Sequence, residues 1–164
     1  MKNFDWTAFS LKILVKAQLN TVYDAWTKTT EIEKWFVKKA NFLDKERKAI
    51  SKEANIEASH LYEWTWYLYD ITERGRILLA NGKDHLQFTF AGDCIVDVKL
   101  TQKEDYVLVE LIQKDIPSDE ESKKEIRIGC HTGWSFYLVN LKSVCEGGLD
   151  LRNKNQLYKP MVNN

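Results

Sequence analysis

The segment GCHTGWSFYLVNLKSVCEGG, Gly129 to Gly148, decides how the rest of this chain is read. At 100° per residue, Cys130, Trp134, Tyr137, Leu138, Leu141, Val144 and Cys145 fall within an arc of about 120°, the apolar stripe of an amphipathic helix. Gly147 and Gly148 take a left-handed backbone without steric cost and stop it. At ~1.5 Å per residue the helix from Gly129 to Glu146 is about 27 Å long, enough to cross a sheet. Leucine would pack well enough where Trp134 and Tyr137 stand, so the rings close over either a solid core or a hollow. Phe136 and Val139 fall outside the arc; either the tail at Leu149 and Leu151 covers them or they form a contact patch. Upstream, IPSDEESKKE opens the helix. Ser118 followed by Glu121 has capping-box spacing, the acidic run sits at the positive helix end, and Gly129 is a point of interruption.

What precedes this helix is mostly strand. SLKILVKAQL alternates Leu11, Ile13 and Val15 against Lys12 and Lys16, the period of a strand with one wet face. Asn20 or Thr21 then caps a short helix, VYDAWTK, and Thr30 caps a second in TTEIEKWF, with Glu31 and Glu33 in its first turn. Six strand-like runs follow: KKANFLD, HLYEWTWYL, GRILLA, HLQFTFA, CIVDVKLTQ and YVLVELIQK. Asn81-Gly82 is a hairpin-turn dipeptide, and Gly92-Asp93 and Lys103 to Asp105 mark further turns. Asp44 to Ser59 is a polar loop. One strand, two short helices, a run of antiparallel strands and a final long helix is not βαβ alternation. It predicts an α+β domain in which a curved antiparallel sheet of six or seven strands wraps around the last helix.

At 164 residues the chain is one domain, residues 1–164, large enough to build a core without staples. Lys+Arg and Asp+Glu both count 24, so no net charge recruits nucleic acid or anionic lipid, and no basic stripe stands out. The N-terminus lacks the apolar core of a secretory signal, and nowhere do 18 apolar residues run together; a cytoplasmic protein with no membrane span is expected. Cys94, Cys130 and Cys145 show no CxxC spacing and read as reduced core residues. His60, His85 and His131 are separated and do not make a zinc site. GxSxG, HExxH and a Gly-rich phosphate loop are all missing, so neither catalytic residues nor a cofactor is expected.

Aromatic residues carry the functional reading. Tyr62, Trp64 and Trp66 share one strand face; so do Leu86, Phe88 and Phe90, and Val107, Val109 and Leu111. Turned inward together with the helix stripe, these rings either interdigitate at native density or leave a pocket. The expected ligand-binding set is Tyr62, Trp64, Trp66, Phe88, Phe90, Trp134 and Leu138, with His131 or Tyr62 offering a hydrogen bond. His131 also reads as an ordinary boundary residue at the edge of the stripe. In the tail, Arg152 reads as a fixed chain exit, paired with a carboxylate or lying across a helix end.

The element order resembles the helix-grip fold of the START (SRPBCC) superfamily over residues 5–152. Within it, VYDAWTKTTEIEKWF (Val22 to Phe36), YEWTW (Tyr62 to Trp66) and GWSFYLVNLKSVCEGGLDLR (Gly133 to Arg152) are similar to the motifs of proteins related to the activator of the heat-shock protein 90 ATPase. The resemblance implies a sheet-and-helix grip enclosing a cavity, no shared catalytic apparatus, and binding of a small hydrophobic ligand. It also implies a second reading, a module that docks on the heat-shock protein 90 chaperone; the Phe136 and Val139 patch, if the tail leaves it uncovered, is a contact for a homodimer or for that chaperone. The eukaryotic activator carries this domain behind a separate N-terminal one, for which 164 residues leave no room.

Overall fold

A computed structural model describes residues 4–163. Seven strands, β1 (Phe9–Val15), β2 (Lys39–Leu43), β3 (Leu61–Thr65), β4 (Thr72–Ala80), β5 (His85–Thr89), β6 (Ile95–Lys103) and β7 (Tyr106–Lys114), form one antiparallel sheet. Their order is β1-β7-β6-β5-β4-β3-β2, so β2 to β7 run as a meander and β1 joins beside the last strand. Two helices, α1 (Leu19–Thr27) and α2 (Thr29–Ile32), carry the chain from β1 to the opposite side of the sheet. After β7 come α3 (Glu120–Ser122), a π-helical segment (Lys123–Ile128) and α4 (Gly129–Cys145), 26 helical residues in succession packed on the sheet. The α+β helix-grip architecture expected from the element order is the one observed.

Alternation sets the layers. In β7, Val107, Val109, Leu111 and Gln113 are buried while the residues between them are half-buried. Strands β3 and β5 bury Tyr62 and Trp64, and Leu86 and Phe88, in the same way. These faces meet Trp134, Leu138 and Leu141 of α4, with Val22, Trp26, Trp35 and Phe36 closing the side. A register shift between Ile77 and Leu79 bends β4, which helps the sheet turn about the helix. Gly75 on β4 permits a close approach: a Cβ there would lie 2.5 Å from Tyr62 Oη and 2.6 Å from Thr89 Oγ1.

Several terminal details depart from expectation. Asp119, not Ser118, caps the last helix, its carboxylate accepting the Ser122 N–H at 2.9 Å; a charged acceptor suits the positive helix end better than a hydroxyl. Gly129 continues the helix with φ −60°, and the irregularity lies before it, in the π segment. Neither Asn20, Thr21 nor Thr30 caps: α1 starts after Gln18, α2 starts after Lys28, and neither of these two makes a side-chain capping bond to its helix. The two helices abut at Lys28 with Thr29 buried at the junction, so solvent-type capping has no place there. Asn81 Oδ1 accepts from the backbone of Lys83, Asp84 and His85, making the Asn81-Gly82 turn a four-residue connection. Gly147 is left-handed at the helix stop, as expected. Phe136 is half-buried against the core, whereas Val139 and Leu149 stay exposed, so the tail does not cover Val139 fully.

The outermost strands are tied to other parts of the chain. Lys142 Nζ donates to Leu14 O at 2.9 Å, and Lys16 N donates to Glu146 Oε1 at 2.7 Å, fixing the end of β1 to α4. On β2, Ala40 N donates to Glu33 Oε1 and Phe42 O accepts from Ile50 N. No helix among the described residues is long and apolar enough to cross a membrane.

Candidate functional site

Rings gather where β3, β5, α4 and the turn after α2 converge. In the deeper half they are solid. Tyr62 stacks on Trp64 with centroids 3.8 Å apart, and Phe88 and Phe42 meet Trp64 edge-on at 5.4 and 6.3 Å. Tyr62, Trp64 and Phe88 are each 1% exposed. Tyr62 donates its hydroxyl hydrogen to Thr89 O, and burial raises its pKa, so it stays a neutral phenol. None of these three rings opens onto the aromatic cleft beside α4.

The hollow lies further along. A cleft of about 260 Å³, open on one side, forms where β3 has ended at Thr65 and β5 at Thr89. Trp66 and Phe90, the next residues of the same alternation, lie just past the ends of their strands and make its wall together with Phe36, Trp134 and Tyr137. Phe36 stacks on Trp134 at 4.9 Å and meets Trp66 and Tyr137 edge-on at 5.4 and 4.9 Å. Gly129, Cys130 and Gly133 of α4 form a floor without large side chains, and Tyr69 and Glu125 stand at the mouth. A Cβ on Gly133 would meet nothing within 4 Å, so the missing side chain is space that belongs to the cleft.

Of the eight residues expected to bind a ligand, Trp66, Phe90 and Trp134 come together here. Tyr62, Trp64, Phe88 and Leu138 belong to the packed core behind them. His131 lies off the lining, its ring edge-on to Phe9 at 5.2 Å. Neither residue expected to offer a hydrogen bond faces the cleft.

Behind the wall sits a polar residue that the sequence reading passed over. Gln113 is fully buried, the inward position after Val107, Val109 and Leu111, and Trp134 Nε1 donates to its Oε1 at 3.0 Å. That bond fixes the Trp134 ring and consumes its only donor. The other end of the amide, Nε2, has no conventional partner among the described residues and interacts with the thiols of Cys94 and Cys130. Burial pushes Cys130 up to about 11, with the Gln113 amide offsetting only part of that, and raises Cys94 as well. Both remain thiols at neutral pH, unsuited to nucleophilic attack. No group of three His, Cys, Asp or Glu side chains that could hold a metal exists among the described residues. His85 pairs with the buried Asp97 at 2.6 Å, and Gln87 donates to the same carboxylate at 3.0 Å.

The tail braces the cleft from outside. Arg152 Nη1 donates to Val37 O and Nη2 to Glu33 O, both at 2.8 Å, while Nε and Nη2 grip the two oxygens of Asp150. Both sequence-based alternatives for Arg152, carboxylate pairing and a helix end, hold at once. Burial opposes charge on Asp150, but hydrogen bonds from Arg152, Lys154 and Asn140 outweigh it and hold the carboxyl well below the usual range. Asn140, fully buried, donates to Trp35 O and accepts from Leu151 N. The Arg152 guanidinium and Lys154 ammonium lie 5.3 and 5.0 Å from the ring of Tyr67, two residues before Tyr69.

Comparison with known proteins follows the same lines. Residues 16–146 match the family model described as Activator of Hsp90 ATPase homolog 1-like protein. No curated protein matches the chain. Among solved structures, the protein SSP2350 from Staphylococcus saprophyticus superimposes with a TM-score of 0.68 at 16% identity, covering 88% of this chain and 96% of that one. The Aha1 dimer from Colwellia psychrerythraea gives 0.67 at 15% identity, covering 86% and 97%. A conserved protein of unknown function, EF2215 from Enterococcus faecalis, gives 0.65 at 18% identity, covering 85% and 71%. At these identities the likeness is one of fold.

Proposed function

The chain belongs to the Activator of Hsp90 ATPase homolog 1-like family, and from that premise we propose that it is a non-enzymatic domain that binds a small hydrophobic ligand in the aromatic cleft beside α4. The observation that carries this reading is the contrast between ring packing and open space. Trp66, Phe90, Phe36, Trp134 and Tyr137 border about 260 Å³ of volume over a helix floor of Gly129 and Gly133. Glycine inside a helix costs roughly 1 kcal/mol relative to alanine. Two of them four residues apart, both under the cleft, make sense where the backbone has to stay clear of an occupant. The volume falls just under the ~300–1,000 Å³ of drug-sized sites, which favours a ligand of one or two rings. Burial keeps the Cys130 thiol beside the cleft un-ionised, which removes it as a nucleophile there.

The test is a titration with the neutral fluorescent probe N-phenyl-1-naphthylamine, together with native mass spectrometry of the freshly purified protein. Saturable probe binding that Gly133→Leu and Trp66→Ala each abolish is expected. No saturable signal and no co-purifying small molecule would overturn the reading.

The family match favours a second reading, contact with a heat-shock protein 90 chaperone. A pull-down and a chaperone ATPase assay with and without this protein check it; no binding at tens of micromolar would end it. The relative from Colwellia psychrerythraea is described as a dimer, and self-association of this chain is tested by sedimentation across a concentration series.

A further inference from the structure

Resting on the ligand-binding reading above, we infer that the cleft selects an organic cation, an amine or quaternary ammonium on an apolar body, over neutral and anionic molecules of the same shape. The walls are aromatic on three sides: Trp66 and Phe90 from the strand ends, Phe36 from the turn after α2, and Trp134 from α4. Ring faces carry negative potential, and a desolvated cation within about 6 Å of several of them is attracted to each. Glu125 stands at the mouth and is the one charged side chain of the lining; among the described residues no lysine or arginine lines the cleft. Glu125 meets Lys124 at 3.0 Å, but both side chains are mostly exposed, and an exposed pair of neighbours is readily exchanged for another cation. The field of a second carboxylate, Glu73, reaches the wall at Cys130. Glu73 is held in place by accepting the Ala91 N–H at 2.8 Å, next to Phe90. The field of Arg152 reaches Tyr137, but Asp150 accepts from its Nε and Nη2 and compensates the charge. The π segment delivers Glu125 to this position, one turn before the Gly129 floor. Helical irregularities of this kind are frequent at functional sites.

A matched pair tests the inference. Benzyltrimethylammonium and its neutral carbon isostere, neopentylbenzene, are titrated separately against the tryptophan fluorescence of the full chain. The cation is expected to bind about tenfold more tightly than the isostere. Glu125→Gln should reduce that preference to a few-fold, and raising salt should weaken the cation's binding far more than the isostere's. Equal or tighter binding of the isostere overturns the cation preference and leaves the hydrophobic cleft standing. Silence from both compounds while N-phenyl-1-naphthylamine binds also overturns it. Silence from all three removes the cation preference and the ligand-binding reading together.

Discussion

The two halves of the aromatic cluster are made from the same materials and behave differently. Tyr62, Trp64 and Phe88 are packed solid, whereas Trp66 and Phe90, two residues further along the same strands, border open space. Ring content does not account for this, because both halves are rich in it. The difference is in what holds the rings. Within β3 and β5 each residue is flanked by paired neighbours at fixed spacing, so successive layers interdigitate. Past Thr65 and Thr89 the strands end, with the Phe90 N–H bonded to Cys94 O closing the turn, and opposite that point α4 presents Gly129 and Gly133 in place of side chains. A hollow arises where a sheet runs out and a helix carries nothing to fill the gap.

The largest effect expected from this contrast is Trp64→Ala. It should cost about 3–5 kcal/mol in urea unfolding, because a fully buried ring leaves a cavity its neighbours cannot close. Trp66→Ala should cost clearly less, since one side of that ring already faces the cleft. Equal losses would break the distinction between the halves.

Arg152→Ala comes next, at about 3 kcal/mol, because it takes from Asp150 the better buried of its two cationic partners and leaves the carbonyls of Glu33 and Val37 without their donors. It also has a pH signature. The folded-state pKa of Asp150 is depressed, so its contribution is complete above the ordinary value near 3.9 and is lost progressively as the pH falls below it. The stability of Arg152→Ala should therefore fall less steeply than that of the parent between about pH 4 and pH 2.

Trp134→Phe and Trp64→Phe sharpen the comparison further. Both remove an indole N–H, but only Trp134 donates to a buried acceptor; Trp64 Nε1 has no partner among the described residues. The Trp134 change leaves Gln113 Oε1 unmet and should cost about 1–3 kcal/mol more than the Trp64 change. The smallest effect is Gly133→Ala, expected to raise stability by up to about 1 kcal/mol, since its Cβ enters open space and the helix gains. A loss of stability would mean that the floor is tighter than described.

How much of this was legible in the residues differs between the halves too. Alternation in β3, β5 and β7 and the stripe on α4 point the right side chains inward, and the helix-grip order follows. The cleft was not legible as a cleft, because period-2 reading treats Tyr62, Trp64 and Trp66 as equivalent and contains no sign of where pairing stops. Gln113 could have been found: it continues the Val107, Val109, Leu111 alternation onto the buried face, where a polar residue calls for a partner. Arg152 was legible as a residue that pairs with a carboxylate or crosses a helix end, but which helix end was not, nor was the role of Asn140, because those acceptors are 105 to 119 residues away and only the folded chain brings them near. Glu125 reaches the mouth through a π turn, a change of helical phase that a fixed 100° projection does not include.

The ties on β1 and β2 have a further consequence. An uncovered margin of a sheet presents free N–H and C=O groups that can template another chain. Here Lys142 and Glu146 engage the backbone at the end of β1, while Glu33 and Ile50 do the same along β2. Strand addition is thereby discouraged at both margins, which protects the molecule from amyloid-like growth. Copies of this chain that meet are left to do so through side-chain surfaces, and a continuous sheet extended from one molecule into the next is not the arrangement this fold invites.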